Sequence, residues 1–121
     1  MSSIFEATAG KLIGPTTGGT VTQATSKATG VTLNAASGQI TLDDAALGAG
    51  AEVTFAVTNS EISATDVVVV NHSSAGTAGA YLAQATNLAA GSFKITVANL
   101  SAGSLGEAIV LSFVALKGAS S

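Results

Sequence analysis

The sequence predicts an all-β fold: an antiparallel β-sandwich, in its simplest form an eight-stranded jelly roll, with a short N-terminal arm. Three observations carry this. From Thr20 onward apolar and polar residues alternate with a period of two, which sends successive side chains to opposite faces of a strand. Between the alternating runs lie clusters of Gly, Ala, Ser and Asn, and the runs start roughly 8 to 16 residues apart, too close for crossover helices. The length of 121 residues suits one core and not two.

Taken in chain order, residues 1–18 hold Gly10, Gly14, Pro15 and Gly18 without sustained alternation and read as the arm, leaving 19–121 as the sandwich domain. Ile4 with Phe5, and Leu12 with Ile13, are apolar pairs that a free tail gains nothing by carrying. These four residues are expected to make contacts, either capping an open end of the sandwich or anchoring on another chain. Strands are expected over 20–23, 30–34, 39–42, 53–57, 67–71, 80–85, 93–97 and 108–116. The clearest are Val53, Phe55 and Val57, and Phe93, Ile95 and Val97, which put Phe55 and Phe93 in the core; Phe113 takes the same place in the last strand. Asn59, Asn71 and Asn99 each follow an apolar run, where Asn best tolerates a left-handed backbone. The best helix candidate, 42–47, is scarcely more than a turn, capped by Asp43 or Asp44. A weak internal echo links Leu47, Gly50, Val53, Phe55, Val57 and Asn59 to Leu88, Gly91, Phe93, Ile95, Val97 and Asn99. It reads as two equivalent strands, one in each of two facing sheets.

Composition narrows the function classes. Only 9% of residues are charged, against about 25% in a typical soluble domain. Ala, Thr, Ser and Gly supply 67 of the 121 residues. A surface of small neutral side chains loses little rotamer entropy when covered, so much of it is expected to be buried in contacts between subunits. The four cations, Lys11, Lys27, Lys94 and Lys117, are scattered and the net charge is −3, which argues against nucleic acid as a partner. No stretch is long and apolar enough for a membrane helix, and no secretory signal is evident. The two N-x-S sequons, at Asn71 and Asn99, are then expected to be chance matches. With no cysteine there is no disulfide and no thiolate metal site.

Candidates for chemistry are few. His72, the single histidine, stands beside Ser73 and Ser74, but a triad needs base and nucleophile on opposite sides of a reacting carbon, and Asp66 lies a strand away. It is read as a turn histidine satisfied by the backbone or by water. Asp43, Asp44, Glu52, Glu61 and Asp66 lack the dense spacing of a calcium loop, so neither metal nor cofactor is expected. Gly18-Gly19-Thr20 and Gly76-Thr77 are not followed by Lys and a helix, so they are turns and not phosphate loops. A sugar-stacking site would draw on Tyr81 and Phe5, the only rings expected to be exposed.

The row from Gly19 to Lys27 (Gly-Thr-Val-Thr-Gln-Ala-Thr-Ser-Lys), with Thr29 to Asn34 and Ser37 to Thr41, resembles a segment that recurs in virion structural proteins of tailed bacteriophages. Ala75 to Tyr81 and Ser101 to Ile109 look like the same family, and the likeness runs from about Gly18 to Gly118. It implies a β-sandwich with no catalytic residues, carried on the particle as a capsid decoration (cement) protein or as a head- or tail-fibre module. Decoration is the expected role: the chain has its own Met1 and a short arm, and no fibrous repeat precedes the domain. The implied partners are copies of itself, as a trimer, and the major capsid protein or another virion protein. The implied location is the capsid surface after synthesis in the host cytoplasm.

Overall fold

A computed structural model describes residues 18–117. The described chain forms eight strands and no helix: β1 (Thr20–Thr22), β2 (Val31–Thr32), β3 (Ser37–Thr41), β4 (Glu52–Thr58), β5 (Val67–Ser74), β6 (Tyr81–Ala89), β7 (Ser92–Asn99) and β8 (Val110–Leu116). They make two four-stranded sheets, A in the order β1-β3-β8-β5 and B in the order β2-β4-β7-β6. One buried cluster takes Ile40, Val70, Leu111 and Phe113 from sheet A and Phe55, Val57, Phe93, Ile95 and Val97 from sheet B. The Phe93 and Phe113 rings meet 5.8 Å apart across it. The sheets therefore face each other in a sandwich-like arrangement, and the three expected core phenylalanines are 1–4% exposed.

Each strand follows its alternation. Along β4, Phe55 and Val57 are buried while Glu52, Thr54, Ala56 and Thr58 are exposed; along β7, Phe93, Ile95, Val97 and Asn99 point inward. Pairing is antiparallel for β3 with β8, β8 with β5, β4 with β7 and β7 with β6. It is parallel for β1 with β3 and for β2 with β4, which departs from the uniformly antiparallel expectation. The cause is the path of the chain, which changes sheet at every connection except the β6–β7 hairpin. A parallel pair needs a crossover, usually a helix. Here β2 serves as the crossover between β1 and β3, and β3 serves between β2 and β4.

The expected helix over 42–47 does not form. Asp43 accepts the Ala45 N–H at 2.8 Å through its own carboxylate, and Leu47 bridges to Leu105. The two halves of the echo, β4 and β7, do not lie in facing sheets but are neighbours in sheet B, with Phe55 opposite Ile95. Each half ends in a fully buried Asn. Asn59 Oδ1 accepts the Glu61 N–H and Asn99 Oδ1 accepts the Ser101 N–H, so an Asx turn closes each strand. Among the described non-glycine residues, only Ala75 and Asn87 have a left-handed backbone, so Asn59 and Asn99 turn the chain by side-chain bonding instead, while Asn71 does not end its strand but lies inside β5 opposite Ser112.

Candidate functional site

The polar side chains that the fold brings together lie at one end of the sandwich, where the β5–β6 connection meets the segment before β8. Ala75, Gly76 and Gly79 turn the connection through the left-handed region, at φ 63°, 76° and 80°. A side chain at Gly76 would be strained, because its Cβ would lie 2.5 Å from Ile109 Cγ2 and 2.9 Å from Glu107 Oε1 and one of them would have to move. Glu107 holds the connection: its carboxylate accepts the Thr77 N–H at 2.9 Å, the Thr77 hydroxyl at 2.8 Å and the Tyr81 hydroxyl at 2.8 Å. These donors, the Thr77 N–H foremost, hold the Glu107 carboxyl below its ordinary pKa. Burial, then the bond to Glu107 and its negative charge, pushes Tyr81 up to about 12.

His72 stands edge-on to Tyr81, with ring centroids 5.4 Å apart and planes at 85°. Its Nε2 donates to the main-chain oxygens of Ala75 at 2.6 Å and Ser74 at 3.1 Å. That nitrogen is therefore committed to the turn and does not face a nucleophile as a base. Ser73 donates to Val110 O at 3.2 Å. Asp66 lies beyond the other end of β5, where it accepts from Ser63 and pairs with Lys117 at 2.8 Å. An open cleft runs over His72 to Gly76 with Ala78 and Gly79, walled by main chain and small side chains. Tyr81 does not line it as an exposed ring, contrary to expectation: it is 7% exposed because Glu107 fastens its hydroxyl under the loop.

Lys27 is the second polar anchor, 3% exposed. Its ammonium donates to three main-chain oxygens, those of Asp43, Ala45 at 2.8 Å and Glu107 at 2.8 Å. Burial lowers its pKa against the opposing pull of Asp43, Asp44 and Glu107. Gln23 completes the knot, donating to Lys27 O and Thr29 O and accepting the Asp43 N–H. Glu107 thus joins both anchors, its main chain to Lys27 and its side chain to the β5–β6 connection. Neither Lys27 nor Glu107 carried a signal in the sequence, where each stands alone among small residues.

Among the described residues no group of three or more His, Asp or Glu side chains is placed to hold a metal ion, and no helix is long and apolar enough to cross a membrane. Ile4, Phe5, Leu12 and Ile13 lie outside the described residues.

The outward faces of the two sheets carry little charge. On sheet A the register turns Thr20, Thr22, Gln39, Thr41, Ser112, Val114, Val67, Val69 and Asn71 outward, and none is charged. Sheet B turns out Thr54, Ala56, Thr58, Thr96, Ala98, Leu82 and Gln84 with only two charges, Glu52 and Lys94. No protein-family model, curated protein or solved structure matches the chain.

Proposed function

We propose that this chain is a non-enzymatic structural protein of a phage particle: a decoration protein that binds the outside of the head, as a homotrimer, and stabilises the shell by bridging its subunits. The observation that carries this reading is the pair of flat sheet faces built from Thr, Ser, Ala, Val and Gln with almost no charge. Such a face has little charge to desolvate and few long side chains to immobilise, so covering it costs little, whereas a catalytic centre needs the opposite. The polar clusters support the same reading, since Lys27, Glu107 and His72 spend their hydrogen bonds on main chain and loops. Ile4, Phe5, Leu12 and Ile13 are proposed as further contacts to neighbouring subunits. In architecture, a jelly roll is proposed on the strand number and the two four-stranded sheets alone, since the parallel pairs of β1 and β2 at the edges depart from its antiparallel pattern.

Cryo-electron microscopy of particles with and without the protein tests the proposal. Difference density on the outer shell, and heads that break at lower temperature without the protein, are the expected results. Density confined to a fibre or collar, or none on the particle, overturns it.

A further inference from the structure

Residues 75–79, Ala-Gly-Thr-Ala-Gly, form the crest of the β5–β6 connection and are all exposed. Thr77 alone among them has a side chain larger than a methyl group, so no apolar side chain roots the segment in the core. It nevertheless lies directly on the core. A Cβ at Gly76 would come within 2.5 Å of Ile109 Cγ2, and Ile109 is fully buried. Left-handed residues bracket Thr77, with Ala75 and Gly76 before it and Gly79 after it, and a left-handed alanine is held in a conformation that its Cβ disfavours. Among the described residues, two side chains hold this crest by hydrogen bonds. His72 Nε2 donates to Ala75 O at its start, and Glu107 accepts the amide and the hydroxyl of Thr77 at its middle.

We infer that residues 75–79 are an acid-released flap with Glu107 as its catch: protonation of the Glu107 carboxyl frees Thr77, and the flap lifts from Ile109 about Ala75 and Gly79. Acid acts differently on the two ties. His72 Nε2 keeps its hydrogen when the ring is protonated, so the start of the flap stays anchored. At Glu107 acid removes the charge that strengthens each bond to Thr77 and Tyr81, and a charge-assisted hydrogen bond is roughly twice as strong as a neutral one. The groups around Glu107 set the pH at which this happens. Tyr81 faces it from β6 as a hydroxyl donor, and His72 faces it from β5 and favours the carboxylate once protonated. Lys27 bonds its main-chain oxygen, with Asp43 and Asp44 beside that ammonium. The Thr77 and Tyr81 donors outweigh burial and keep the carboxyl below its ordinary pKa, so the flap is closed at neutral pH and opens only below 4.5. With glycine at 76 and 79 and no buried side chain between them, it can move while the sheets stay paired. The inference does not depend on the proposed role on a particle.

Hydrogen exchange of the full chain between pH 7 and about pH 2.5 tests it, read by NMR at the Thr77 amide together with the Ile109 methyl signals. The expected result is a fall of about 10-fold in Thr77 protection below pH 4.5, with the Ile109 signals following the same midpoint while circular dichroism stays native. Glu107→Ala should show the open signals already at pH 7 and no acid step. Glu107→Gln keeps the shape but has no proton to gain, so it should also lack the acid step, and it serves if the alanine variant does not fold. Full Thr77 protection in acid, or protection lost only together with the circular dichroism, overturns the inference. So does an acid step at Thr77 that survives in Glu107→Gln.

Discussion

Tyr81 is the single tyrosine in a chain without tryptophan, so its ionisation can be read directly from tyrosinate absorbance. The expected midpoint is about 12 in place of the ordinary 10, because burial and the Glu107 carboxylate both oppose a second negative charge. The folded pKa lies above the unfolded one, so the stability it contributes is complete below pH 10 and is lost as pH rises from 10 through about 12. Glu107→Gln should lower the midpoint without restoring 10, since burial is the larger cause; a midpoint of 10 in the wild type would refute the arrangement. Glu107 has the opposite sign. Its pKa is depressed, so its contribution is present above 4.5 and fades as acid takes the pH through the lower folded value. The Thr77 amide should then lose its protection in acid, its hydrogen exchange rising towards the intrinsic rate. Lys27→Met keeps the length of the side chain but leaves three main-chain oxygens without their donor. At about 1–3 kcal/mol for each orphaned group, partly relieved by water, a loss of about 3–5 kcal/mol is expected in chemical denaturation. A loss under about 1 kcal/mol would show that Lys27 does not brace the loops. The core phenylalanines were legible because alternation with apolar neighbours is a local property. Lys27 and Glu107 were not, because their partners come from loops far apart in sequence and are main-chain atoms that no side-chain pattern encodes.

Strands β4 and β7 show what alternation can and cannot specify at the level of elements. It fixes which side chains turn inward, and all eight expected strands appear within a few residues of their places. It does not fix which strand lies beside which, so the parallel pairs and the adjacency of β4 with β7 were hidden. The echo between them was a true signal of local geometry. Repeating the asparagine repeats the Asx turn, and the antiparallel pairing then sets the two turns at opposite ends of the sheet. Asn99 donates to Leu47 O and Gly103 O and accepts from both the main chain and the hydroxyl of Ser101. Asn99→Ala should therefore cost about 2–3 kcal/mol by orphaning buried groups. Phe93→Ala, which empties the space against Phe113, should cost about 3–5 kcal/mol. For a domain of this size that lowers the melting midpoint by roughly 10 °C or more. Unchanged melting after Phe93→Ala would mean that β7 is slipped by one residue, which turns every inward side chain outward.

For the whole molecule the proposed role makes a testable separation between what folds the domain and what would attach it. The described residues already close one core between two sheets, and the first strand is tied in by its own main chain, with the Gln39 N–H donating to Gly19 O at 2.9 Å. A chain shortened by residues 1–17 keeps that bond and every residue of the buried cluster described above. It should fold, with a melting midpoint within about 5 °C of the full chain, if the core that the described residues close is what carries stability. Attachment should respond differently. On the proposed reading, Ile4, Phe5, Leu12 and Ile13 would each contribute about 1–2 kcal/mol by apolar burial on a neighbouring subunit, multiplied through avidity if several copies share one oligomer. Binding of the shortened chain to stripped particles should fall by orders of magnitude, measured by co-sedimentation against the full chain. Loss of folding would show that residues 1–17 belong to the sandwich itself. Undiminished binding by a folded, shortened chain would place the attachment surface on the sheets, where Val69→Lys and Thr96→Lys can then tell face A from face B.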